Sequence, residues 1–158
     1  MYNTDYELLS KTLESLIENN DYDMTVLANT SALIYDSMED LNWVGFYILK
    51  DGFLHLGPFV GKPACIKIPL NKGVCGYTIT SKNTVVVKNV HDFKGHIACD
   101  SASNSEVCVP LFLDGEIVGL LDIDSPKIER FDEKDAKELE KIVKIIEKEL
   151  NNCKKLIF

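Results

Sequence analysis

The sequence is short of positive charge: 17 lysines and arginines stand against 25 aspartates and glutamates, a formal net charge of −8. A surface of that sign repels phosphate backbones and anionic lipid, and no local basic patch offsets it, so neither nucleic acid nor a membrane is an expected partner. No apolar run suited to a signal peptide or a membrane span occurs from Met1 to Asn20, where Asp5, Glu7, Glu14 and Glu18 intervene. The expected location is the cytoplasm. None of the five cysteines lies in a C-x-x-C pair, and a reducing compartment would keep them as thiols at rest. Internal repeats, linkers and low-complexity tracts are also missing, which predicts a single domain over 1–158. A chain of this length buries roughly two thirds of its unfolded surface, so its core needs neither disulfide nor structural metal. The cysteines are left for chemistry.

What is present reads as helices around a sheet. Thr4 and Glu7 have capping-box spacing, and Leu9, Leu13, Leu16 and Ile17 recur on one face, which predicts a helix to about Asn19. Asp23 is the expected cap of a second helix, carried by Met24, Leu27, Ala32, Tyr35 and Met38 until Asp40 and Asn42 break it. Trp43 to Leu49 and Phe53 to Val60 are aromatic and aliphatic, joined by Asp51-Gly52, a dipeptide that tolerates the positive dihedrals of a tight hairpin. Glu106 to Leu113 and Ile117 to Ile123 repeat the pattern around Asp114-Gly115, and Val85 to Val87 adds a short β-branched strand. From Asp132 the positions Ala136, Leu139, Val143, Ile146 and Leu150 predict a closing amphipathic helix. Helices packed on a mainly antiparallel sheet of at least five strands make an α+β fold.

Between the hairpins, residues 61–105 are rich in glycine and proline and hold Cys65, Cys75, His91, His96 and Cys99, with one short helix expected near Cys75. Long loops inside a compact domain tend to be functional. A cysteine attacks as thiolate, which is favoured near positive charge and backbone amides. Cys99 fits best, following Lys94 and His96 and preceding Ser101-Ala102-Ser103, although Asp100 opposes an anion there. A lone cysteine is more often a small buried hydrophobe, but three in one region shift that balance. The same cysteines and histidines lack the close paired spacing of structural zinc motifs, so no metal is expected. Cys108 alternates with Val107 and Val109 and reads as packing, and Cys153 lies in a polar tail.

Asp122 and Asp124 are one residue apart in a strand and so share a face. Pairing around Asp114-Gly115 brings Glu106 beside them, close to Cys99 seven residues upstream. Three converging carboxylates can hold an ammonium, and their mutual repulsion can keep one protonated as a general acid. Trp43 and Tyr47, four apart, share a strand face that would serve equally as a pocket wall or as core.

The run Asn42-Trp43-Val44-Gly45-Phe46-Tyr47, the segment from Gly57-Pro58-Phe59 through Gly61-Lys62-Pro63-Ala64-Cys65, and Gly73-Val74-Cys75-Gly76 resemble the free methionine-(R)-sulfoxide reductases. So do His91, the stretch Gly95-His96-Ile97-Ala98-Cys99-Asp100-Ser101-Ala102-Ser103, Ser105-Glu106, and Leu121-Asp122-Ile123-Asp124-Ser125-Pro126. The resemblance covers nearly the whole chain and implies a GAF-type fold, with about six antiparallel strands and helices on the sheet. It further implies Cys99 as nucleophile, Cys65 as the resolving cysteine, Cys75 as a further redox-active thiol, Glu106, Asp122 and Asp124 lining the substrate pocket, and Trp43 and Tyr47 as its aromatic wall. Thioredoxin is the implied reductant, no cofactor is expected to be bound, and the sequence is compatible with a homodimer. A non-catalytic GAF module that binds a small molecule or senses oxidants is the alternative, since one fold carries many functions.

Overall fold

The computed structural model describes residues 2–95 and 102–158. Two helices, α1 (Tyr6–Ile17) and α2 (Asp23–Ser37), precede the hairpin of β1 (Trp43–Lys50) and β2 (Phe53–Gly61). A short β3 (Lys67–Pro69), helix α3 (Gly73–Ser81) and β4 (Val85–Val87) follow, then a single 3₁₀ turn over Val90–Asp92. The second hairpin, β5 (Ser105–Leu113) and β6 (Glu116–Ser125), leads into α4 (Glu133–Leu150). The six strands form one antiparallel sheet in the order β3-β2-β1-β6-β5-β4. The α+β fold expected from the sequence is the one found, with β3 as an edge strand that its three residues were too few to announce.

Both hairpins turn where the dipeptides predicted. Asp51 and Gly52 have φ of 54° and 77°, and Asp114 and Gly115 have 52° and 79°. Positive φ at both central positions gives the turn twist that matches paired strands.

The strand period of two then sorts side chains onto opposite faces. Val44, Phe46 and Ile48 of β1, Val107, Val109 and Leu111 of β5, and Leu121 and Ile123 of β6 all enter one apolar core with α1, α2 and α4. Trp43, Tyr47, Cys108 and Leu120 turn to the other side, where α3 contributes Val74, Cys75 and Ile79. Three helices therefore cover one face, and the candidate site occupies the other.

The two N-terminal helices differ in detail from their sequence-based expectation. Asp5, not Thr4, caps α1, its side chain accepting from the Leu8 amide at 3.0 Å. Tyr6 takes the buried position expected of Leu16, which is exposed. In α2 the buried stripe is Val26, Leu27, Thr30, Ser31 and Ile34, while Met24 and Tyr35 face solvent. Thr30 and Ser31 become apolar enough for the interior by donating to the Val26 and Leu27 carbonyls at 2.7 and 2.9 Å. Hydroxyls satisfied within their own helix hide a stripe from a hydrophobicity pattern.

Asp23 is the first residue of α2 rather than its cap. Its buried carboxylate accepts from the amides of Leu156, Ile157 and Phe158 at 2.7 to 3.2 Å, fixing the end of the chain to α2. Burial works to raise its pKa, but the backbone hydrogen bonds outweigh burial and hold it below the usual aspartate range. A group whose folded pKa is depressed contributes stability above its unfolded pKa and loses it as pH falls through the folded value. Asp23→Ala is expected to cost about 1–3 kcal/mol at neutral pH. Urea denaturation should show the gap between native and variant closing below about pH 4, near the unfolded aspartate pKa; a gap independent of pH would contradict this role.

Candidate active site

The register of the three central strands lays the site out as two rows across the sheet. In one, Gly61 pairs with Trp43, Trp43 with Asp124, Asp124 with Glu106 and Glu106 with Val87. In the next, Phe59 pairs with Gly45, Gly45 with Asp122, Asp122 with Cys108 and Cys108 with Val85. Two aspartates on alternate positions of β6 thus stand between an aromatic group on β1 and a glutamate and thiol on β5.

The aromatic end is tightly organised. Trp43 stacks on Tyr47 with ring centroids 5.9 Å apart and on Phe59 at 5.2 Å. The indole lies over Gly45, where an added Cβ would come within 2.7 Å of Trp43 Cη2 and 2.4 Å of Phe59 Cβ. Trp43 Nε1 donates to the Lys62 carbonyl at 3.1 Å, and the Tyr47 hydroxyl donates to the Cys65 carbonyl at 2.9 Å. The wall therefore grips the loop that carries Cys65. Cys65 is disulfide-bonded, whereas Cys75, Cys108 and Cys153 carry free thiols. The structure shows an oxidised form where the sequence reading expects thiols at rest.

Helix α3 lowers Cys75 onto the acidic end. Its Sγ lies 3.5 Å from Asp122, 3.9 Å from Glu106 and 3.8 Å from Cys108 Sγ, and Cys108 Sγ lies 3.5 Å from Glu106 and 3.4 Å from Asp122. All four side chains are buried. Burial pushes the Glu106 carboxyl well above the carboxylate range, and Asp122 adds to it; Asp122 is raised by burial and by Asp124. Burial and the contact with Cys75 raise Cys108 in the same way. For Cys75 the hydrogen bond with Cys108 is the largest single influence and lowers the pKa, as does that with Asp122, but burial and the charges of Glu106 and Asp124 together outweigh them and the thiol is raised. Carboxyls in this setting keep protons that exposed ones have lost, and can therefore donate them.

The structure brings Trp43, Tyr47, Cys65, Cys75, Glu106, Asp122 and Asp124 to one face of the sheet, while Cys99 and His96 lie outside the described residues. His91 is set apart, its ring paired with Asn104 Oδ1 at 2.9 Å. Two neighbours escaped sequence reasoning. Cys108 packs in the interior as its strand position predicts, and it also faces the acids; its i,i+2 relation to Glu106 puts both on one strand face. Phe59 reaches Gly45 only because a bulge between Gly45 and Tyr47 shifts the register.

A family model for the GAF domain matches residues 26–148. The free methionine-R-sulfoxide reductase of Escherichia coli is 45% identical over 145 residues, covering 92% of this chain and 88% of that one. Its namesake from Saccharomyces cerevisiae is 43% identical over 130 residues, 77% of this chain and 72% of that one. The structure of Staphylococcus aureus fRMsr in complex with substrate matches with a TM-score of 0.90 at 52% identity, covering 95% of this chain and 99% of that one. The chain belongs to the free methionine-R-sulfoxide reductases, a family built on the GAF domain.

The protein's one tryptophan is part of this wall, so its emission reports on the site. Gly45→Ala would force the indole and Phe59 apart, at a cost of about 1–3 kcal/mol for overpacking. A shifted Trp43 emission maximum with a lowered urea midpoint is expected; unchanged emission would show that the ring does not depend on Gly45.

Proposed function

We propose that this protein reduces free methionine-R-sulfoxide to methionine, with Cys99 as the attacking thiol, Cys65 as its resolving partner, and thioredoxin as the dithiol that resets them. One observation carries the reading: a disulfide-bonded cysteine, Cys65, is held by its carbonyl to Tyr47 beside a buried cluster of carboxylates.

The substrate's ammonium is the group that such a cluster recognises. Asp122 and Asp124 attract it, and its charge relieves the repulsion that raises the Asp122 pKa. The stacked Trp43 and Phe59 rings offer the thioether chain an apolar surface. A blocked or peptide-bound sulfoxide has a neutral amide in place of the ammonium and would leave the buried carboxylates uncompensated, a strong basis for rejection. Selectivity for the R epimer follows from the family.

In the reaction, Cys99 thiolate attacks the sulfoxide sulfur while protonated Glu106 delivers a proton to the departing oxygen. The hydroxide so released adds to the Cys99 sulfur as the new S–S bond breaks, methionine leaves with that bond's electron pair, and Cys99 carries the oxygen as a sulfenic acid. The Cys65 thiol then displaces water from that sulfenic acid, forming the disulfide. Thioredoxin opens it by thiol–disulfide exchange and is itself oxidised. Summed, one sulfoxide and one dithiol give methionine, water and a disulfide. Among the described residues no helix is long and apolar enough to cross a membrane, and the cytoplasm supplies the reductant this cycle requires.

An assay coupling thioredoxin and its reductase to NADPH oxidation tests the proposal. Turnover is expected with the free amino acid and not with its N-acetyl derivative; no turnover of the free form would overturn it. Cys99→Ser should abolish methionine release under any reductant, whereas Cys65→Ser should still release about one methionine per chain in a single turnover without thioredoxin. Glu106→Gln, which keeps the shape but not the proton, should lower kcat roughly 100-fold or more, and an unchanged kcat would remove Glu106 from the chemistry.

A further inference from the structure

Cys108 gives the acidic end of the site a second thiol, and the pair of thiols with the pair of carboxylates has a property that neither the family nor the proposed reaction requires. The ligand atoms of Cys75, Cys108, Glu106 and Asp122 all lie within 4.8 Å of one another. A tetrahedral zinc ion with bonds of about 2.3 Å to sulfur and 2.0 Å to oxygen separates its two sulfurs by about 3.8 Å, and each sulfur from each oxygen by roughly 3.5 Å. The observed separations are 3.8 Å between the sulfurs, 3.9 and 3.5 Å from Glu106 Oε2 to the Cys75 and Cys108 sulfurs, and, for Asp122, 3.5 Å from Oδ2 to Cys75 and 3.4 Å from Oδ1 to Cys108.

From that match we propose that Cys75, Cys108, Glu106 and Asp122 form a binding site for a thiophilic divalent cation, Zn²⁺ being the best fit. The donor set of two thiolates and two carboxylates excludes the hard cations, which take oxygen ligands in larger number. Among the described residues, the largest charge effects on the four side chains come from one another and from Asp124, which favours a cation between them. Glu106 is also hydrogen-bonded to Asp124, an outer contact of the kind that orients a ligating carboxylate. The four donors come from three elements fixed by the sheet register and by α3, so they are positioned before any ion arrives. Cys75, Glu106 and Asp122 each keep a few per cent of their surface exposed. On binding, the two thiols release their protons to water and the thiolates bond to the metal.

The ion would occupy the place where the carboxylates meet the substrate's ammonium. Zinc is then a reversible inhibitor that competes with methionine sulfoxide, a consequence that rests on the function proposed above, whereas binding itself does not.

The test uses the protein with its disulfide closed, so that Cys75, Cys108 and Cys153 are the thiols among the described residues. Equilibrium dialysis against Zn²⁺ with metal analysis is expected to give one ion per chain. Co²⁺ in its place should give the thiolate charge-transfer band and intense visible absorption of a four-coordinate site. Cys108→Ser and Cys108→Val should each weaken Zn²⁺ binding tenfold or more and remove the charge-transfer band, with circular dichroism confirming the fold. Cys153→Ser should change neither. Absence of binding, a six-coordinate Co²⁺ spectrum, or binding that survives loss of Cys108 would overturn the proposal. Zinc binding without turnover would sink the catalytic reading alone, and turnover without zinc binding would sink the metal site alone. Where both hold, added Zn²⁺ should raise KM at least tenfold with kcat unchanged, and a chelator should reverse it.

Discussion

The strand period of two is the constraint on which the rest of this molecule depends. In β1, β5 and β6 every second side chain must enter the apolar core beneath α1, α2 and α4, and the residues between them are thereby committed to the opposite face. Trp43, Tyr47, Glu106, Cys108, Asp122 and Asp124 are all residues of that second set. A shift of one position in β5 or β6 would drive carboxylates into the core and aliphatic groups into the site, so the register that secures the fold also secures the chemistry.

The same arrangement concentrates cost in one place. Acids and thiols buried together, with no cation facing them among the described residues, repel one another and resist ionisation, which destabilises the folded state relative to a surface that dispersed them. A ligand bearing positive charge would relieve that tension and a neutral one would not, which is the basis of the proposed selectivity. Stability comes from elsewhere: a continuous aliphatic core on the far face, the Asp132–Asp135 capping box that starts α4, and Asp23 holding the C-terminal backbone. A molecule built this way keeps its strained face separate from the layer that holds it together.

The sequence disclosed those features whose cause is local. Asp51-Gly52 and Asp114-Gly115 located two hairpins because few dipeptides accept paired positive φ. The position of the second turn then brought Glu106 beside the two aspartates, and α4 declared itself through its apolar stripe. Features that depend on distant partners were hidden. The bulges between Gly45 and Tyr47 and between Leu111 and Phe112 have no composition of their own, yet they decide which residues face each other. The buried face of α2 was obscured by Thr30 and Ser31, whose hydroxyls are satisfied within the helix. Cys108 was buried as the pattern foretold, but burial alone did not reveal that its neighbours were acids.

That the acidic face recognises a free amino acid through its ammonium is best tested by determining the reduced protein's structure with methionine bound. The account predicts the ammonium within hydrogen-bond distance of Asp122 or Asp124 and the thioether against Trp43. An ammonium directed to solvent, or a ligand seated on the helical side of the sheet, would contradict it.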